Sequence, residues 1–214
     1  MKTNRGKFIA IEGMDGAGKT TILKKFEEYL KKNKKQKDFV FTREPGSSFS
    51  KEAEKIRDLI LENGNEFSPM VDALLFATSR RINLEKGIWP ALESGKNVIS
   101  DRYWTSSYVY QGILGNIGVS KVKMINEIAT DNTHPDFIIF FDLLPEISIQ
   151  RLKESGKSMD RLENLDLNYY TNLREAYLKT VSKDAKKYCI IDANCSIDEL
   201  FERFIAVLSD QKII

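Results

Sequence analysis

Gly13-Met14-Asp15-Gly16-Ala17-Gly18-Lys19-Thr20 follows the apolar run Phe8-Ile9-Ala10-Ile11 and precedes Thr21-Ile22-Leu23-Lys24-Lys25-Phe26, which has the residue types and spacing of a helix. Gly13, Gly18, Lys19 and Thr20 fit the pattern G-x-x-x-x-G-K-[ST] in the strand, turn and helix context that gives the pattern its meaning. Such a loop presents successive backbone N–H groups to phosphate oxygens, and the helix behind it turns its positive end to the same anion. Lys19 adds a mobile charge for the outer phosphates, and Thr20 offers a hydroxyl to Mg²⁺. A nucleoside triphosphate site follows. What is done to that nucleotide depends on the rest of the chain.

Working outward, five short segments rich in Ile, Val or Phe read as buried strands: Phe8–Glu12, Phe39–Thr42, Asn97–Asp101, Asp136–Leu143 and Lys187–Asp192. Long helical patterns separate them. The alternation predicts an α/β fold, a five-stranded parallel sheet with helices on both faces and ligands at the carboxyl ends of the strands. No repeat, low-complexity tract or linker divides the chain, so residues 1–214 read as one domain.

Composition narrows the partners. Apolar residues are 42% and charged residues 30% of the chain, and Lys plus Arg exceed Asp plus Glu by only 33 to 31, so nothing global recruits nucleic acid or a membrane. The run Lys31-Lys32-Asn33-Lys34-Lys35-Gln36-Lys37 reads as the solvated end of a helix more than as a nucleic-acid patch. The basic opening, Lys2 to Lys7, is followed by four apolar residues before Glu12, too few for a secretory leader. No purely apolar run exceeds Phe137 to Phe141, far short of the roughly 20 residues of a membrane helix. Two cysteines, Cys189 and Cys195, and one histidine, His134, make neither a disulfide framework nor an ordinary zinc site, and the cytoplasm is the expected compartment.

Residues after the third strand suggest an acceptor. Arg102 is placed to clamp a second phosphate in line with the first, while Asp101 anchors Mg²⁺ through water or fixes Arg102. The bland reading is an Asp/Arg pair that caps a strand end. In Val71 to Arg80, Phe76 and Arg80 are four apart and share a helix face, which suits a flat heterocycle stacked on Phe76 with a ring carbonyl at Arg80; a core phenylalanine is the alternative. A GTPase needs an Asn/Thr-Lys-x-Asp segment, absent from these residues, whereas a small-molecule kinase fits the length.

With "IEGMDGAGKTT", "FTREPG", "LLFATSR" and "DRYWTSSYVYQG" in this order, the chain closely resembles the thymidylate kinases, P-loop nucleoside monophosphate kinases that phosphorylate dTMP to dTDP with ATP and Mg²⁺. The resemblance spans nearly the whole length. It implies that Gly13, Met14, Asp15, Gly16, Ala17, Gly18, Lys19, Thr20 and Thr21 bind ATP, with Thr20 and Asp101 toward the metal. It implies that Asp15 approaches the sugar 3′-hydroxyl, that Arg43 and Arg102 hold the 5′-phosphate, that Phe76 stacks on thymine and that Arg80 faces a thymine carbonyl. Ser106 and Ser107 would meet the base side, Tyr110 would fill the space of a ribose 2′-hydroxyl, and Gln111 would stand beside it. A lid over Arg151 to Glu163 and a homodimer are implied as well.

Two positions depart from the family pattern. Ser47 stands where many relatives have a second glycine after Arg-Glu-Pro-Gly. In the lid, relatives with a small residue at Gly16 rely on arginines, and Ser155 occupies one of those places, leaving Lys153, Lys157 and Arg161 as the catalytic cations. Adenine contacts are expected from the loop after Asp192. The nearest enzymatic rival is a deoxynucleoside kinase, whose neutral acceptor hydroxyl needs a carboxylate base where Arg43 and Arg102 await an anion. A nucleotide-binding regulator without turnover is the rival from another class.

Overall fold

The computed structural model describes residues 5–156, 162 and 166–214. Its strands are β1 (Phe8–Gly13), β2 (Phe39–Arg43), β3 (Asn97–Asp101), β4 (Phe137–Asp142) and β5 (Tyr188–Asp192). They form one parallel sheet in the order β2-β3-β1-β4-β5. The five expected strands are therefore present, with ends moved by a residue. Asp136, expected to begin the fourth, instead turns its carboxylate to the Phe8 N–H (2.8 Å) and to Lys7 (3.0 Å), pinning β4 beside β1.

β1 lies at the centre because both of its faces are covered. Ile9 and Ile11 enter a cluster with Ile22, Phe26 and Phe204, whereas Phe8 and Ala10 pack with Leu84, Ile88, Leu92 and Tyr103. Burial on both faces is the reason this strand reads as a continuous apolar run and not as an alternation. The chain leaves β1 for one edge of the sheet and crosses to the other side after β3. The carboxyl end of β1 thus sits where strand order reverses, the place such sheets offer to ligands.

Nine α-helical segments occur among the described residues: α1 (Lys19–Lys32), α2 (Lys51–Leu61), α3 (Pro69–Asn83), α4 (Trp89–Glu93), α5 (Trp104–Ser107), α6 (Val119–Thr130), α7 (Pro145–Ser155), α8 (Leu167–Val181) and α9 (Ile197–Asp210). Side-chain oxygens of Ser50, Ser68, Asp166 and Ser196 cap the starts of α2, α3, α8 and α9. α1 differs. It begins at Gly18 in the left-handed region (φ 89°), with no side-chain cap and no acidic residue in its first turn, so its positive end is left to an external anion. Lys31 to Lys37, in its last turn and beyond, are exposed. α5 continues into a π-helical segment, Tyr108–Leu114, which carries Tyr110 and Gln111.

Cys189 and Cys195 are free and half-buried, and His134 sits in a loop with its ring against the edge of Trp104 (4.4 Å between centroids). Among the described residues no helix is long and apolar enough to cross a membrane, and no group of three or more His, Cys, Asp and Glu is arranged to hold a metal.

Candidate active site

Two cavities open at the carboxyl ends of the strands, and Asp15 lines both. The first is walled by Gly16, Gly18, Lys19, Thr20, Thr21 and Arg151, and closed by Cys195, Ser196 and Ile197 from the loop after β5 and the start of α9. Gly13, Gly16 and Gly18 all have positive φ (145°, 77° and 89°). A Cβ on Gly13 would stand 2.7 Å from the Phe141 carbonyl oxygen, so the loop hugs β4. Met14 and Ala17 turn their side chains into the core. Lys19 is buried and donates to the carbonyls of Gly13 (3.0 Å) and Met14 (2.9 Å). Burial, and then the nearby Arg102 charge, lower its ammonium below the ordinary lysine value.

Thr20 Oγ1 donates to Asp101 Oδ2 at 3.1 Å. Two hard oxygens thus converge beside the loop, a donor set that fits Mg²⁺, which takes one or two protein oxygens and completes its shell with water and phosphates.

The second cavity is lined by Asp15, Glu44, Pro45, Arg57, Phe76, Arg102, Ser106, Ser107, Tyr110 and Gln111, with Leu61 and Leu162 at its margin. Arg102 is its fixed cation. One guanidinium nitrogen, Nη2, pairs with Asp15 Oδ1 at 2.5 Å, and the ring of Tyr110 lies 5.6 Å from Cζ. Burial acts to raise the Asp15 carboxyl, but Arg102 and Lys19 outweigh it and hold it below the usual carboxylate range. Burial drives the Tyr110 phenol well above its ordinary value, so the ring is neutral; its hydroxyl is 3.5 Å from Asp15.

The other expected residues are placed differently from one another. Phe76 lines the cavity, while Arg80, one turn later on α3, is 1% exposed behind the wall. There it donates to Glu44 (2.6 Å), to Ser107 Oγ (3.3 Å) and, at very short range, to Asn126. Burial pushes the Glu44 carboxyl up against the pull of that ion pair. Arg43 stands on the outer rim of β2, its side chain 44% exposed and paired with Glu54 at 2.5 Å. Ser47, the departure from the family pattern, is buried and donates to Asn83 at 2.6 Å. Lys153 is exposed on α7. Lys157 and Arg161 lie outside the described residues.

A family model described as thymidylate kinase matches residues 11–204. The chain belongs to the thymidylate kinase family. It is 44% identical over 200 residues to a thymidylate kinase of Mycoplasma mobile, covering 92% of this chain and 95% of that one. The thymidylate kinase of Mycoplasmopsis agalactiae is 40% identical over 205 residues, 96% of this chain and 95% of its own. That of Caldanaerobacter subterraneus is 44% identical over 188 residues, 88% of each chain. The parallel sheet and the loop after β1 are those of a P-loop kinase.

Two cations in this thymidylate kinase site escape a reading of its motifs. Arg57 lines the second cavity and donates to the Pro45 carbonyl at 2.7 Å. Its signal was its phase: Ala53, Arg57 and Ile60 stand at helical spacing, and a charge within the stripe of the buried Ala53 and Ile60 faces inward. Arg151 reaches the carbonyls of Gly16 (3.2 Å) and Cys195 (3.1 Å), joining the loop to the first cavity's far wall. Nothing local marks it out from the other lid-side cations.

Proposed function

We propose that this protein transfers the γ-phosphoryl group of ATP to the 5′-phosphate of dTMP, giving ADP and dTDP. A phosphate oxygen of dTMP forms the new bond to the γ-phosphorus as the bond to the β,γ-bridging oxygen breaks, and no covalent enzyme intermediate is needed. One observation carries this reading: a phosphate-binding loop and an arginine-bearing cavity share a single wall residue, Asp15, so two phosphates can meet between Lys19 and Arg102.

The stretch Gly13 to Thr21 grips the ATP phosphates, and Lys19 leaves the Gly13 and Met14 carbonyls for the outer phosphates. Thr20 and Asp101 would hold Mg²⁺, which when bound would offset the charge that builds up on the phosphates. Arg102 swings its Nη2 edge from Asp15 to the acceptor phosphate, with Arg43 assisting from the rim and Arg57 from α2. Asp15, so released, takes the sugar 3′-hydroxyl. Phe76 stacks on thymine, Arg80 with Ser106, Ser107 and Gln111 fixes the base side, and the neutral ring of Tyr110 excludes a 2′-hydroxyl. Residues 1–214 act as one kinase domain in the cytoplasm, with a lid over about 151–163 and a second copy of the chain as partner.

A panel of nucleoside monophosphates with ATP and Mg²⁺ tests the reading. dTMP is expected to be the best acceptor, ahead of its ribo-counterpart and of thymidine. Preference for AMP, GMP, UMP or thymidine would overturn it, and ADP release indifferent to dTMP would mark a regulator instead.

Gly16 brings no cation to the bridging oxygen, so Lys153, Lys157 and Arg161 supply it. Neutralising all three is expected to lower kcat on the order of 10³-fold while ATP binding persists, since a cation at this point is worth that much in related transferases. Normal turnover of the triple variant would place the charge elsewhere.

A further inference from the structure

From Arg102 and Ser106 in the wall of the second cavity a chain of polar groups runs back to two residues, Tyr177 and Glu12, that the reaction outlined above does not use. Arg102 Nη1 donates to the Gly13 carbonyl (2.9 Å), to Tyr177 Oη (3.0 Å) and to Ser106 Oγ (3.2 Å). The hydroxyls of Tyr177 and Ser106 are 2.9 Å apart, and Ser106 Oγ donates to Glu12 Oε2 at 2.6 Å. The other oxygen of Glu12, Oε1, accepts from the backbone N–H groups of Tyr103 (2.9 Å) and Ser106 (3.3 Å). Glu12 and Tyr177 are wholly buried, and neither lines either of the two cavities described above. The Tyr177 ring is stacked on Phe140 of β4, 5.3 Å between centroids, so its hydroxyl cannot wander.

Counting protons orders this chain. Burial raises the Glu12 carboxyl above its ordinary value, against the pull of the Ser106 hydroxyl, the Arg102 charge and the two backbone N–H groups. With donors at both oxygens Glu12 is taken as the carboxylate, which only accepts, a guanidinium only donates, and each hydroxyl between them has one proton. Once Ser106 gives its proton to Glu12, it can only accept from Tyr177 and Arg102. Tyr177 must then donate to Ser106, and its lone pairs face Arg102. Every proton points from the guanidinium toward Glu12. An amide in place of the carboxylate breaks the order. Its NH₂ cannot sit at Oε1, where two backbone N–H groups already point, so it faces Ser106 and forces that hydroxyl to accept. The Ser106 proton then turns to Tyr177 and the Tyr177 proton to Arg102, donor against donor.

We propose that Glu12 is a positioning residue for Arg102: acting through Ser106 and Tyr177, its carboxylate sets the direction of a hydrogen-bond relay that holds the Nη1 edge of the guanidinium and aims the Nη2 edge at the acceptor. The proposal rests on dTMP being the acceptor, as read above. Glu12 itself touches no substrate.

Glu12→Gln and Tyr177→Phe, singly and together in the full chain, test it. Each single change is expected to raise the KM for dTMP roughly 3–10-fold, the worth of one or two ordinary hydrogen bonds, with the KM for ATP held within about twofold. Glu12 and Tyr177 do not touch, so a relay makes their effects non-additive: the double variant should be no worse than the more affected single one. In ligand-free protein labelled with ¹⁵N-arginine, the Arg102 Nη signals of the wild type should show slow rotation, and both variants should lose it. Effects that multiply, an unchanged KM for dTMP, or equal rises in both KM values would overturn the relay. Should Glu12→Gln fail to fold, the near-isosteric Tyr177→Phe decides by the same split of KM values. Failure of the acceptor reading looks different, because wild-type protein would then ignore dTMP while the Arg102 signals still report on the relay.

Discussion

Arg102 lines the second cavity and also bears backbone strain. Its φ of 72° is left-handed, a conformation that costs a residue with a Cβ about 1–2 kcal/mol. The strand end imposes it: the Arg102 N–H donates to the Ile11 carbonyl (2.8 Å), Ser100 Oγ donates to the Arg102 carbonyl (2.7 Å), and Glu12 holds the next N–H. Strain of this kind persists where surrounding bonds over-determine the backbone, and it serves to aim the side chain. Two substitutions separate aim from strain. Arg102→Ala and Arg102→Gly should both raise the KM for dTMP and lower kcat, together costing about 10–100-fold in kcat/KM for the lost charged bonds. In denaturant unfolding, however, the Gly variant should be the more stable of the two by about 1 kcal/mol, because only glycine is at ease there. Equal stabilities, or near-wild-type kinetics, would contradict this account.

At the scale of elements, the phosphate-binding loop and α7 behave as one piece. Ser148 Oγ donates to the Asp15 carbonyl at 2.6 Å, and Arg151, three residues on and on the same helix face, reaches the Gly16 carbonyl. Between these two bonds a Cβ on Gly16 would lie 2.9 Å from the Ser148 carbonyl oxygen, which is backbone and cannot swing aside. Gly16→Ala therefore meets two costs, a left-handed φ of 77° worth about 1–2 kcal/mol and a push of the loop away from α7. Its expected signature is lower unfolding stability and a KM for ATP raised more than that for dTMP. Wild-type values of both would show that the loop has slack. The coupling also bears on Lys153, which α7 carries.

For the whole molecule, one exposed feature among the described residues is an apolar face on α3 and α6. Leu74 is 51% exposed, Met124 61% and Ile128 74%, with Val71 beside them. Leu74, Ile82, Ile125 and Ile128 line a shallow groove there. Contiguous exposed apolar side chains on two neighbouring helices are the mark of an interaction surface, and a second copy of the chain is the partner proposed above. Light scattering at micromolar concentration is expected to give a dimer for the wild type and a monomer for Ile128→Asp, which places a charge in the face without touching the core. A monomeric wild type would remove the dimer, and a dimeric Ile128→Asp would move it to another face.

Sequence alone determined what is set locally. β1 and β4 open with unbroken apolar runs, Phe8–Ile11 and Phe137–Phe141, because both faces are buried, the Gly13–Thr20 loop is specified by glycines that alone tolerate its turns, and Phe76 and Arg80 share a face by helical spacing. The contacts of Phe76 and Arg80 were a different matter: one lines the cavity and the other is sealed behind it by Glu44 and Asn126. Tertiary packing alone brings Arg57 and not Arg43 into the wall of the second cavity, closes Arg151 on the loop, and sets Glu12 and Tyr177 behind Arg102. The partners involved are far apart in the chain: Ser106 meets Tyr177 across 71 positions and Glu12 across 94. A lone carboxylate at a strand end and a tyrosine in an apolar helix stripe each look like ordinary core residues until folding brings them to one serine. Hydrogen bonds act over about 3 Å of space whatever the separation along the chain, so the periodicity that reveals a strand or a helix holds no trace of them.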